Sequence, residues 1–345
     1  MAMVTVVTGA TGHIGANLVR ALLASGRRVR CIVRQDRTAL AGLDVECVTG
    51  DVLDPASLRA AFGGASTVFH LAAIISIDGD RHGLVTSTNI DGARNAAEAA
   101  LACGVRRLVH CSSIHAFVQG GPLATVDEST PRAFDSHYAA YDRSKAGGER
   151  AVREIVARGL DAVIVHPTAV IGPHDYKPSR MGRLLIDLQR RGLPALIPGG
   201  FDWVDVRDVV AGLIRAEERG CTNESYLLSG HYAPVAELAS LAAAVTGVPA
   251  PRWCSPAWLA RMAAPFSVAA GRVRGREPLF TGEALDALAM GTRVDCGKAR
   301  RELGYSARDL RATIRDTYAW FAEAGRIRLT RPLDGEASER SGGAR

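Results

Sequence analysis

"TGATGHIG", residues Thr8 to Gly15, stands between a short apolar, β-branched run and a stretch with helical periodicity. Glycine is the default residue wherever a chain turns with positive φ, so three glycines by themselves mark only a tight turn. Their setting says more. "MVTVVT" ahead of them reads as a strand, and "HIGANLVRALLASG" sets Ile14, Leu18, Val19, Leu22 and Leu23 at helical spacing until Gly26 stops it. Between a strand and a helix, Gly9 makes the turn, Gly12 lets the backbone approach a phosphate, and Gly15 permits close helix packing. A pyrophosphate fits at the helix N-terminus, where N–H groups and dipole favour an anion, with Thr11, His13 and Ile14 around it.

The alternation continues. "RVRCIV", "VECVTG", "STVFHLAA" and "VRRLVHCSS" read as strands, Leu84 to Cys103 as a helix, and a helix from Ser136 to Arg158 leads into the strand "DAVIVHP". Strands and helices alternating in this way predict an α/β fold, a Rossmann-type doubly wound parallel sheet. Beyond Pro167, Gly-Pro, Lys-Pro, Leu-Pro and Ile-Pro break up shorter elements, which predicts a smaller C-terminal lobe. The expected division is a nucleotide-binding domain over 1–170 and a substrate-binding lobe over 171–200 and 231–328. Segments at about 201–230 return to the first domain: "DWVDV" with the helix after it, and the strand "ESYLLSG". Helices are expected at Pro234 to Val248, Pro256 to Ala264 and Thr281 to Met290, and the polar tail, 329–345, is expected to be disordered.

A length of 345 residues allows one or two domains. The net charge of +6 is modest, and the arginines are dispersed instead of interleaved with aromatics, which argues against nucleic-acid binding. Seven cysteines without a CxxC pair argue against a disulfide framework and against a metal site. The first strand starts at Met3, leaving no room for a leader, and no apolar run is long enough to span a membrane, so a cytoplasmic protein is expected.

At the end of the second strand a cofactor with a free ribose 2′-hydroxyl usually meets an acidic residue. Here the residue is Arg34, whose guanidinium suits a 2′-phosphate and so favours NADP(H) over NAD(H), with Arg37 as a second cation. Asp36 leaves the NAD(H) alternative open.

"YDRSK", Tyr141 to Lys145, draws on only three lysines and seven tyrosines in the chain, so chance explains it poorly. The spacing of four puts both side chains on one helix face. A cation beside a phenol stabilises the phenolate and brings its pKa down from about 10, as a general acid or base requires. Ser112 and Ser113 close the strand "RRLVHCSS" at the carboxyl edge of the sheet, where a hydroxyl can hold a substrate oxygen. His115 and His137 fall near the same pocket as substrate contacts. Arg180, Arg183 and Arg190 are candidates for a diphosphate clamp, although the polar face of a helix explains them better. "PAWLARMAAPFSVAAGRVRGR" reads as a substrate lid or a membrane-touching stretch, with Trp258, Met262 and Phe266 its notable residues.

These motifs together resemble the extended short-chain dehydrogenase/reductase family, also called the NAD-dependent epimerase/dehydratase family. The match runs over most of the chain: "TGATGHIG", "GDVLD" at Asp51, "FHLAA", "TNIDGARN", "CSS", "YDRSK", "HPTAVIGP", "VDVRDV" and "DCGKARRELGY". Within it, Arg34, "HPTAVIGP", "GPHDYKPS" with Tyr176, and "SSIHAF" look most like the dihydroflavonol-reductase-like branch. The resemblance implies that Ser113 orients the substrate oxygen, that Tyr141 is the acid/base, and that Lys145 binds the nicotinamide ribose. It also implies that Asp51 and Val52 flank the adenine and that Leu71, Ala72, Ala73, Pro167, Thr168 and Val170 line the cofactor path. Tyr176 joins His115 and His137 as a substrate candidate, and a homodimer through the Tyr141 helix is expected.

Fold and triad do not decide the substrate. Arg34 favours NADP(H)-dependent reduction of a ketone or aldehyde on a small or medium-sized organic molecule. Sugar-nucleotide epimerisation or dehydration with NAD, hydroxysteroid-type alcohol oxidation, and a non-enzymatic NADP(H)-binding sensor are the alternatives. Retention of serine, tyrosine and lysine together argues against the sensor.

Overall fold

β1 (Val4–Thr8) is a continuous β-branched run because it lies in mid-sheet with both faces covered. The computed structural model describes residues 3–120, 124–273, 281–329 and 333, with the backbone alone at residue 81 and at 266–273. Nearly all of the expected tail, 329–345, lies outside the described residues, as does the side chain of Phe266.

From β1 the chain enters α1 (His13–Ala24), then β2 (Arg28–Val33), β3 (Glu46–Thr49), α2 (Pro55–Phe62) and β4 (Ala65–His70). α2 starts where Asp54 accepts the Ala56 N–H and Pro55 occupies the first turn. The expected helix at 84–103 is α3 (Leu84–Thr86), a π-turn over Ser87–Asp91, and α4 (Gly92–Ala102). After β5 (Arg107–Cys111) and the short β6 (Thr125–Val126) comes α5 (Ala140–Val156), which carries Tyr141 and Lys145. α5 begins four residues later than Ser136, because Tyr138 N–H closes a turn onto the Asp135 carbonyl and Ala139 is extended. β7 (Ala162–Pro167) follows.

The second part comprises β8 (Ala169–Ile171), α6 (Arg180–Gln189), β9 (Gly200–Asp205), α7 (Val206–Arg219), β10 (Ser225–Leu228), β11 (His231–Pro234), α8 (Val235–Thr246), α9 (Ala257–Val273), α10 (Gly282–Met290), β12 (Arg293–Val294) and α11 (Leu310–Glu323).

Seven strands form one parallel sheet in the order β3-β2-β1-β4-β5-β7-β10. Strand order reverses between β1 and β4, which opens a crevice at their carboxyl ends. α1 and α7 cover one face; α2, α4 and α5 cover the other. This is the Rossmann-type doubly wound fold.

The "DWVDV" strand departs from expectation. β10 already occupies the edge beside β7, so β9 pairs parallel with β8 and antiparallel with β11 in a separate sheet. Buried Trp203 fixes it there by donating to the Ala233 carbonyl at 2.9 Å. α7, directly after β9, does pack on the large sheet against β5 and β7. A second core forms around β9, α6, α8 and α11, where Ile314, Tyr318 and Phe321 are buried.

Candidate functional site

The glycine turn is built by steric exclusion. Gly9 has φ +67°, and a Cβ there would lie 2.7 Å from the Ala72 nitrogen. A Cβ on Gly15 would lie 2.2 Å from the Gly9 carbonyl oxygen, so α1 can approach β1 only without a side chain. Gly12 differs: a Cβ there would meet nothing nearer than the Gly9 oxygen at 3.3 Å, and its φ of −77° is open to any residue. Two glycines serve the fold, and the third leaves the cleft side bare at a helix N-terminus, which is what a phosphate needs.

The cleft over this turn encloses about 340 Å³ and is lined by Gly9, Gly12, His13, Ile14, Gly15, Leu71, Ala73, Ser113, Tyr141, Lys145, Pro167, Thr168 and Val170. The Ser112 hydroxyl also lines it, buried and without a hydrogen-bond partner. An orphaned buried hydroxyl and a bare helix N-terminus fit a bound dinucleotide. Thr11 lies in the turn, and the Ala72 N–H donates to Thr8 Oγ1 at 3.2 Å. Thr168 has its hydroxyl committed to Asp202 at 2.8 Å.

The adenine end is more open. Arg34 is exposed immediately after β2. Asp36 beside it is occupied: it accepts from the Thr38 N–H at 2.9 Å and pairs with Lys177 at 2.8 Å. The hydrogen bond from Lys177 holds its carboxyl well below the usual carboxylate range. Asp51 caps the Leu53 N–H, and Val52 is buried against Gly92. Arg34, Asp51 and Val52 stand at neighbouring strand ends outside the enclosed cleft.

α5 is clamped from below. Gly148 comes so close to Asn89 that a Cβ would lie 2.3 Å from its carbonyl oxygen. Glu149, buried in α5, pairs with Arg132 at 3.0 Å, Arg153 at 2.9 Å and His166 at 3.0 Å. Burial raises that carboxyl, but His166 and Arg132 outweigh it and hold it well below the usual range. Asn89 donates to the Ile74 carbonyl at 2.9 Å and to Ser144 at 2.8 Å, and accepts from Ile74 N–H at 2.8 Å. The loop after β4 is thereby locked to α5.

On this support Tyr141 is 7% exposed. Burial pushes its phenol above the ordinary range, and the hydrogen-bonding Ser113 hydroxyl pulls the other way. Ser113 also accepts the His115 N–H. Lys145 donates from Nζ to the Cys111 carbonyl at 3.2 Å, and its burial lowers its own pKa. Burial is the largest influence on the phenol.

Beyond Tyr141 opens a cavity of about 860 Å³, lined largely by apolar residues including Ile77, Met181, Leu184, Leu196, Ile197, Phe201 and Leu288. His115 and His137 line it. His115 pairs with Asp142 at 2.8 Å. Tyr176 does not reach it: Arg20 donates to the Tyr176 hydroxyl at 2.6 Å, and its ring stacks on His174 and meets Trp320 edge-on. Arg180 and Arg183 line the cavity, whereas Arg190 donates to the Arg326 carbonyl outside it. Trp258 and Met262 are not lid residues, because α9 turns its alanines inward and these two outward. Sequence reading left Asn89, Gln119, Asp142 and Glu283 without roles. Asn89 alone had a local signal, its place in "TNIDGARN". Among the described residues no group of three or more His, Cys, Asp or Glu is arranged to hold a metal, and no helix is long and apolar enough to cross a membrane.

Comparison with known proteins places this geometry. Residues 5–228 match the model of the NAD dependent epimerase/dehydratase family. The chain is 40% identical to Sterol demethylase protein B of Methylococcus capsulatus, covering 94% of this chain and 100% of that one. It is 33% identical to a Synechocystis protein named for dihydroflavonol 4-reductase, covering 93% and 95%. The crystal structure of gox2253 superposes with a TM-score of 0.81 at 34% identity, covering 94% of this chain and 99% of that one. A glycine turn that fits a dinucleotide, a Ser113–Tyr141 pair with Lys145 one helical turn on, and a family match over most of the chain lead to one conclusion: the protein belongs to the extended short-chain dehydrogenase/reductase, or NAD-dependent epimerase/dehydratase, family of enzymes, among relatives named as reductases.

Proposed function

We propose that the protein is an NADP(H)-dependent carbonyl reductase in which Tyr141 hands its proton to the oxygen of a ketone or aldehyde held by Ser113. The observation that carries this reading is the position of Tyr141, whose side chain lines both the glycine-turn cleft and the apolar cavity. A phenol pushed upward by burial keeps its proton at neutral pH, the state in which it acts as a donor. Ser113 steers the substrate oxygen onto that proton. Lys145, held by the Cys111 carbonyl, binds the nicotinamide ribose. Nicotinamide, when bound, supplies the hydride.

Exposed Arg34 serves as the clasp for a 2′-phosphate, and the engagement of Asp36 with Thr38 and Lys177 removes the competing carboxylate. Residues 1–170 with 206–230 hold the cofactor; 171–205 and 231–328 supply the substrate lobe. The cavity enlarges the substrate expected: roughly 300–1,000 Å³ is the range of sites for drug-sized ligands, and 860 Å³ lies near its upper end. A bulky, largely apolar alicyclic ketone fits that lining better than a sugar nucleotide, and the relative named for sterol demethylation points the same way.

Tyr141→Phe tests the reading. Turnover should fall by about 10²- to 10⁴-fold while NADPH binding, followed by nicotinamide fluorescence, is retained. Unaltered turnover in that variant excludes Tyr141 as the proton donor.

A further inference from the structure

Reduction of a carbonyl needs a hydride and one proton, and it leaves a second acid/base pair at the same junction without a task. Among the described residues that line both the glycine-turn cleft and the apolar cavity, only Tyr141, His115 and Arg180 are ionisable. His115 stands on the turn after β5, over Ile114–Ala116, where its N–H donates to the Ser113 hydroxyl at 3.3 Å. Its ring lies against that of Tyr141, with centroids 5.2 Å apart and planes inclined at 59°. Asp142, in the first turn of α5 where the helix dipole favours negative charge, pairs with His115 Nδ1 at 2.8 Å. A carboxylate there fixes the ring and draws its proton to Nδ1, so that Nε2 keeps a lone pair. With its side chain 32% exposed, the imidazole still reaches water and can exchange a proton with it.

We propose that His115, held by Asp142, is a base for the carbon next to the substrate carbonyl, so that the site interconverts a ketone with its enolate as well as reducing it. The inference rests on the reading that Ser113 and Tyr141 hold the carbonyl oxygen. Nε2 takes one hydrogen of the α-carbon as a proton. The electron pair of that C–H bond becomes a C=C bond, and the π pair of the C=O bond moves to the oxygen. Negative charge then develops beside two hydroxyls already placed to donate to it. Arg180 lines the same junction, and its positive charge favours negative charge at the Tyr141 oxygen. The imidazolium formed is stabilised by Asp142. Return of a proton from Nε2, after exchange with water, restores the ketone with a solvent hydrogen on carbon, so no oxidant or reductant is consumed. The substrate class narrows accordingly to ketones that carry an α-hydrogen.

Camphor tests this, being a bulky alicyclic ketone with a single enolisable CH₂ whose two hydrogens NMR resolves. Incubation of the full chain in heavy water with camphor and NADP⁺, and no NADPH, reads proton exchange apart from hydride transfer. Deuterium is expected to enter at least ~10²-fold faster than in buffer, and at one of the two hydrogens, because a single base stands on one side of the carbonyl. Exchange no faster than in buffer, or equal at both hydrogens, overturns the proposal without recourse to any variant. His115→Phe keeps a ring in place and removes the nitrogen base, so its exchange should fall at least ~10²-fold. Unchanged exchange in that variant also overturns the proposal. Asp142 acts through His115 as a positioning residue: Asp142→Asn should slow exchange at least ~10-fold, and Asp142→Glu should recover part of the loss. Wild-type protein that reduces camphor with NADPH yet exchanges nothing sinks the dyad and leaves the reductase reading standing. Exchange without reduction upholds the dyad and sinks that reading.

Discussion

The glycine-turn cleft and the apolar cavity meet at Tyr141, yet they are made in opposite ways. The cleft is assembled from short consecutive stretches at the ends of parallel strands, with its shape enforced by backbone atoms that tolerate no Cβ at Gly9 or Gly15. The cavity is assembled from segments between Ile75 and Met290, with its shape enforced by side chains on α6, α10 and the loops after β4 and β5. One is a backbone device and admits few sequences. The other is a packing device, and many apolar residues would fill it, which is how one fold serves many substrates.

The largest test of that contrast sets one glycine against another. Gly15→Ala forces a Cβ to within 2.2 Å of the Gly9 oxygen, so β1 and α1 must separate. A loss of about 2–4 kcal/mol in denaturant unfolding is expected, with NADPH binding abolished. Gly12→Ala keeps an allowed φ and meets only one tight contact, so it should cost about 1 kcal/mol or less while NADPH binding still weakens strongly. Equal stability losses in the two variants would break the distinction between the glycine that serves the fold and the one that serves the ligand.

That distinction also explains what was legible in the sequence. The glycine turn, the Tyr141–Lys145 spacing and the serine at the end of β5 are local patterns tied to strand and helix ends, and the structure brings them to one cleft. The fold class followed from the same alternation. The place of β9 did not, because strand pairing depends on which edge is free, and β10 comes later in the chain to occupy it. Tyr176 misled because "HDYKPS" sits beside the site in sequence, while Arg20 and Trp320 hold its ring elsewhere. Spacing also reports that Lys145 is near Tyr141, whereas the burial of the phenol is visible only in the fold.

Between the two regions in magnitude stands Arg34. Its guanidinium is exposed at the end of β2, outside the enclosed part of the cleft, so replacing it should leave the fold alone. Arg34→Ala is expected to weaken NADPH binding by about tenfold, or ~1.4 kcal/mol, and to leave NADH binding within about twofold. Fluorescence titration with both cofactors measures the ratio. A wild-type preference for NADH would remove the phosphate clasp and bring alcohol oxidation or epimerisation forward.

The smallest effect belongs to the cavity, and its smallness is what the contrast predicts. Ala284 on α10 lines the cavity and does not line the cleft. Ala284→Phe places a ring into open space, so neither overpacking nor lost cofactor contacts should follow. A bulky alicyclic ketone should show KM raised by about 3- to 10-fold, which corresponds to about 1 kcal/mol of lost room. A short aliphatic ketone should keep its kcat/KM within about twofold, because it reaches Tyr141 without extending to α10. Should both ketones suffer equally, the added ring has disturbed Tyr141 itself, and cleft and cavity are more tightly coupled than their separate construction implies. Should neither suffer, α10 is not in the substrate's path, and the space beyond Tyr141 is larger than the molecule it was built to hold.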